Sequence, residues 1–158
     1  MNADFQSIIK ELWSQLKLPA PVFREAGSIA LQIDAHELTL GETPDGLNVQ
    51  ISGLAGRLQQ DAGTRQRQVR LLLEDNLAQL PLDACCVTLR TLPEAVHEIR
   101  VMTLHPCVSG QTAALMRRTE QVLARIEVLA ARLDVRAETM RRALPAGPLA
   151  GDEMILRP

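Results

Sequence analysis

Residues 29–51, IALQIDAHELTLGETPDGLNVQI, decide the fold. Ile29, Leu31 and Ile33 alternate with Ala30 and Gln32, Leu38 and Leu40 with Glu37 and Thr39, and Leu47, Val49 and Ile51 with Asn48 and Gln50. An apolar period of two places one side of each segment against a core, which is the signature of a strand with one solvated face. The links Asp34 to His36 and Thr43 to Gly46 are short, and Pro44-Asp45-Gly46 supplies turn chemistry in the second. Three strands so connected form an antiparallel meander.

The segments on either side change period. Phe5, Ile8, Ile9, Leu12, Trp13 and Leu16 recur at helical spacing, and Pro19 and Pro21 end that segment. After a glycine-rich connector from Gly53 to Gly63, Val69, Leu72, Leu73, Asn76, Leu77 and Leu80 share a second stripe, with Leu71 off it. Beyond Pro81, Cys85 to Thr91 and Val96 to Leu104 read as strands joined by Leu92-Pro93-Glu94-Ala95. The last of these is apolar on both faces, Ile99 and Val101 against Val96, Met102 and Leu104, which suits a central strand. Ser109 is the expected N-cap of a long final helix with Met116, Leu123, Ile126, Ala130 and Leu133 as its inner stripe. The reading is an α+β fold, a twisted antiparallel five-stranded sheet with three helices in the order α-β-β-β-α-β-β-α. It forms one domain over residues 1–143, and 144–158, rich in Pro and Gly, is expected to be a flexible tail.

Composition excludes several classes. The 158 residues carry a net charge of −2, distributed as −4 over residues 1–63 and +2 over residues 109–158, too even for a strong nucleic-acid footprint. Arg118, Arg125 and Arg132 repeat every seven residues, but Glu120, Glu127 and Asp134 repeat at the same interval, so a solvated mixed-charge face is expected. With only Phe5, Trp13 and Phe23 as aromatics, bases would lack stacking partners. No apolar run reaches the roughly 18 residues of a membrane span. MNADFQSIIKELW, with Asp4 and Glu11, reads as a helix and not as a signal peptide, and a cytoplasmic protein is expected. Cys85, Cys86 and Cys107 are odd in number, lack metal-ligand spacing and suit a reducing compartment as small buried hydrophobes, so no metal or other cofactor is expected.

An enzyme would have to draw on His36, His97, His105 and these cysteines. His105 and Cys107 flank Pro106, yet no third orienting group and no nucleophile signature accompany them. Gly53-Leu54-Ala55-Gly56 has neither the spacing nor the Lys-Ser/Thr end of a phosphate loop. A small cysteine-dependent enzyme is the weaker alternative.

The element order, the small acidic chain and the segment Leu71 to Leu92 resemble the class I type III secretion chaperones, the CesT or Tir-chaperone family. Leu72-Leu73, then Asn76, then the strand residues Val87, Thr88 and Leu89 match that family's leucine pair, asparagine and following strand. The resemblance covers roughly residues 1–135; the absence of tyrosine, the vicinal cysteines and the extension past the third helix depart from many relatives. It implies a homodimer that binds the N-terminal segment of a secreted effector without nucleotide and keeps it soluble and export-competent. It also raises the secretion ATPase as a further partner and, as an alternative client, a secretion regulator.

Two surfaces follow from the residues. Ile8, Leu12 and Leu16 lie on one line of the first helix, and with Ile29, Leu31, Leu38 and Leu40 they can form an apolar groove beside a sheet edge, where an effector segment is expected. Leucines at 71, 72, 73, 77 and 80 cover more than one face of the second helix. One face can pack on the sheet while another meets a two-fold mate, so Leu72, Leu73, Asn76, Leu77 and Leu80 are the expected dimer interface.

Overall fold

The computed structural model describes residues 2–24, 27–79 and 85–143. The elements are α1 (Ala3–Gln15), β1 (Ser28–Ile33), β2 (His36–Glu42), β3 (Asn48–Arg57), α2 (Ala62–Gln79), β4 (Cys86–Thr91), β5 (His97–Pro106) and α3 (Thr112–Ala143), in the expected order. All strand pairings are antiparallel, and the sheet runs β1-β2-β3-β5-β4. The connection through α2 carries the chain from β3 to the far edge, and β5 returns between β3 and β4. β5 is therefore a central strand. Of its apolar residues, however, only Ile99 and Val101 are enclosed, while Met102 is half-buried and Leu104 exposed on the opposite face.

α1 begins at Asn2, whose side chain accepts from the Asp4 N–H, and it buries Phe5, Ile8, Ile9, Leu12 and Trp13 in one core with the inner faces of β1, β2, β3 and β5 and with α3. α3 packs across β3 and β5 through Leu115, Val122, Ile126 and Leu129, all buried. The Thr112 hydroxyl donates to the Glu11 carboxylate at 2.7 Å and ties the start of α3 to α1.

Three expectations require correction. Gly53 to Arg57 is not connector but the second half of β3, with a bulge between Leu54 and Gly56. Gly53 belongs there because a Cβ at that position would overlap the side chains of Ile126 and Leu38; only a bare backbone lets α3 lie so close to the sheet. Ser109 does not cap α3. Gly110 turns the chain in the left-handed region (φ 81), and the helix opens at Thr112 with the Gln111 carbonyl accepting from Leu115 N–H. The third concerns the heptad arginines: Arg132 stays half exposed, as a solvated face requires, but Arg125 is largely enclosed and does not belong to such a face. Both guanidinium groups bond the buried Asp75 carboxylate of α2, Arg132 at 2.7 Å.

That ion triad also turns α2. Leu72 is buried, Val69 and Leu71 pack against the core, and Leu73 and Leu77 are 59% and 75% exposed. The apolar stripe expected over 69–80 is thus split: Leu71, which lay off it, faces inward with Asp75, and Leu73 and Leu77 face out.

Candidate functional site

A groove of about 430 Å³ opens where the end of α1, strand β1 and the first turns of α3 converge. Leu12 and Leu16 form the α1 wall. Leu18 joins them because the helix ends in a Schellman motif: Lys17 N–H donates to the Ser14 carbonyl at 3.1 Å and Leu18 N–H to the Trp13 carbonyl at 3.0 Å. Lys17 takes the left-handed position (φ 55) that glycine usually fills. β1 supplies Leu31 and Ile33 as the floor, and α3 supplies Met116 and Leu123 as the facing wall. Leu16 and Leu18 remain 36% and 38% exposed, so their burial is left for something else to complete.

The groove runs along a sheet edge. β1 and β4 are the outermost strands. At β4 the Asn76 side chain satisfies the backbone of Val87 on both sides, accepting from its N–H at 2.7 Å and donating to its C=O at 2.9 Å, as a neighbouring strand would. β1 pairs only with β2 among the described residues, leaving its other edge beside the groove. A strand placed there can project alternate side chains between α1 and α3.

Charge around the groove has one sign. Its ionisable lining groups are Asp34, just past β1, and Glu120, on α3. Both are exposed, and neither carboxylate has a hydrogen bond or ion pair among the described residues. The histidines and cysteines lie elsewhere. His105 is on the inner face of β5 opposite Val49, 4% exposed, with its Nε2 unpartnered. Burial, and next the Arg118 guanidinium, push its pKa below the usual imidazole value, against a smaller opposing contact with the Gln111 backbone. Burial, then the nearby Asp4 and Glu42, push the Cys107 thiol up, away from the thiolate a nucleophile requires. Cys85 is buried, and Cys86 is half-buried with its thiol also raised by burial. No group of three or more His, Cys, Asp or Glu among the described residues is placed to hold a metal ion. No helix of the described residues is long and apolar enough to cross a membrane.

Of the seven residues expected to contact an effector, Leu12, Leu16 and Leu31 line the groove. Ile8, Ile29, Leu38 and Leu40 are enclosed in the core and do not line it. Leu18, Ile33, Met116 and Leu123 were missed; Leu18 carried one signal, an apolar residue stranded between Lys17 and Pro19 where neither helix nor strand accounts for it. Among the five residues expected at a dimer interface, Leu72 is packed inside the protomer and Asn76 is engaged by β4, whereas Leu73 and Leu77 form an exposed apolar pair one helical turn apart. Leu80 lies outside the described residues.

The architecture has close counterparts among solved structures. A chain in the HopA1-SchA chaperone-effector complex superposes with a TM-score of 0.65 at 16% identity, covering 81% of this chain and 94% of that one. One in the ExoT-SpcS complex from Pseudomonas aeruginosa gives a TM-score of 0.55 at 26% identity, covering 80% and 97%. The Yersinia pestis type III secretion chaperone SycH, in complex with a stable fragment of YscM2, gives 0.55 at 20% identity, covering 82% and 98%. No curated protein matches the chain significantly. The family model of the Tir chaperone protein (CesT) family matches residues 7–96, through α1, the meander, α2 and β4, and the chain belongs to that family.

Proposed function

We propose that the protein is a cytoplasmic type III secretion chaperone that holds the N-terminal segment of an effector extended across the α1–β1–α3 groove. The observation that carries this reading is the coincidence of an apolar groove with the outer edge of β1, which no second strand pairs among the described residues. Main-chain bonding to β1 supplies affinity for an unfolded segment of varied sequence, and the groove supplies side-chain pockets. The solved structures with this fold include a chaperone-effector complex and a type III secretion chaperone bound to a protein fragment, which agrees with a client of that kind. Cysteines that are largely buried and form no disulfide accord with a reducing compartment. The Cys107 thiol, raised by burial away from the thiolate form, favours binding over catalysis.

Two protomers associate, in this reading, through the outward face of α2, where Leu73 and Leu77 are exposed. The groove lies on α1, β1 and α3, so the dimer leaves it open.

Purification from native cells should yield one stoichiometric protein partner. Hydrogen exchange of that complex should then show new protection at Leu16 to Leu18 and along β1, with the partner's bound segment protected but not folded into a separate globule. Protection confined to the outer face of α3 or to the bare face of the sheet would move the binding surface and defeat the proposal.

A further inference from the structure

The groove's charge carries the functional reading one step further, to the kind of segment it accepts. Its walls are apolar on all three sides, and the ionisable side chains that line it, Asp34 just past β1 and Glu120 on the third turn of α3, are both acidic. Neither is neutralised by a neighbour among the described residues. No cation lines the groove: Arg24 pairs with Glu37 at 3.1 Å, Arg118 bonds Gln121, and Lys17 and Arg117, though each adjoins a groove residue in sequence, are not among its lining side chains. Two exposed carboxylates beside an apolar trough repel an acidic segment and attract a basic one, an effect that salt screens.

Resting on the groove as the docking site, we propose that it selects an extended segment of alternating apolar residues flanked by lysine or arginine, the basic side chain being received by Asp34 and Glu120. The apolar residues provide most of the affinity. The carboxylates choose among apolar segments, rejecting those with acidic flanks.

Fluorescein-labelled synthetic peptides test this against the full-length protein: six residues of alternating leucine and serine followed by two lysines, two glutamines or two glutamates. Fluorescence anisotropy should rank them lysine, glutamine, glutamate, with a lysine-to-glutamate ratio on the order of tenfold at low salt, since each exposed pair changes affinity only a few-fold. Raising the salt to about 1 M, where the Debye length is about 3 Å, should collapse the ratio. The double variant D34N/E120Q should remove the difference between the lysine and glutamate peptides; asparagine keeps the left-handed backbone that Asp34 adopts (φ 50), so the fold is retained. Leu16→Gln should weaken all three peptides alike. Equal affinities for the three, still reduced by Leu16→Gln, would overturn the charge selection and leave the groove standing. Binding indifferent to Leu16→Gln, or no binding at all, would overturn both, and a lysine preference that persists in D34N/E120Q would assign it to other carboxylates.

Discussion

The Asn76 carboxamide occupies both backbone hydrogen-bonding groups of Val87, so a side chain of α2 stands where a sixth strand would otherwise pair. Asn76→Ala leaves a half-buried N–H and C=O without partners. The expected loss is about 1–3 kcal/mol, read from the midpoint of urea unfolding. Asn76→Asp keeps the acceptor for Val87 N–H but loses the donor, and should fall between the two. Exposing the β4 edge should also raise the tendency to aggregate on heating, measurable by light scattering. An alanine variant as stable as the parent would mean the bonds contribute nothing.

Asp75 is buried between Arg125 and Arg132, and a buried carboxylate in this setting is costly to leave half-paired. Arg125→Met should destabilise strongly, on the order of 3 kcal/mol, whereas Asp75→Leu combined with Arg125→Met should recover much of that loss. A double-mutant cycle with no coupling would refute the view that this contact sets the rotation of α2.

His105 makes stability depend on pH. Its folded pKa lies below the unfolded value of about 6.5, so the unfolded chain binds the proton more readily. Stability is complete above about pH 6.5 and is lost as pH falls from there through the folded pKa, where a charge enters the core beside Arg118. His105→Leu should flatten this part of the profile without affecting the carboxylate transitions at lower pH. Denaturation midpoints for both proteins between pH 5 and pH 8 decide the matter; parallel curves would exclude His105 as the cause.

Leu77 is 75% exposed, so a charge there leaves the protomer's core intact. If the protomers associate through α2 as proposed, Leu77→Asp should convert the dimer to a folded monomer, because an unpaired ion at the centre of an apolar interface costs several kcal/mol. Sedimentation of the parent at micromolar concentration as a monomer would refute the α2 interface directly.

The elements and their order were legible because alternation over 29–51 and helical spacing over 5–16 are local properties of the chain. What escaped reading is set by contacts distant in sequence. The rotation of α2 follows from Asp75 meeting arginines 50 and 57 residues away, while its leucine spacing alone favoured a different face. Gly53 and Gly56 look like a flexible connector until α3 is laid over them. Leu12, Leu16 and Leu31 were found as groove residues because they belong to stripes; Met116 and Leu123 belong to a stripe as well, but only the crossing of α1 and α3 brings their ends together. The Schellman turn that seats Leu18 is disguised by a lysine in the position glycine normally holds.

Gly53 makes one residue the gauge for a distant surface. The helix that seats Ile126 above it also carries Met116 and Leu123 in the groove wall, so the height of α3 over β3 is transmitted along a rigid rod to the place where a client would lie. A methyl group at position 53 would press on the tips of Ile126 and Leu38, and any shift of α3 that relieves the overlap would alter the width of the slot without touching any residue in it. Variation in client preference among chains of this fold can therefore originate beneath the helix, in the sheet, as readily as in the residues a client meets.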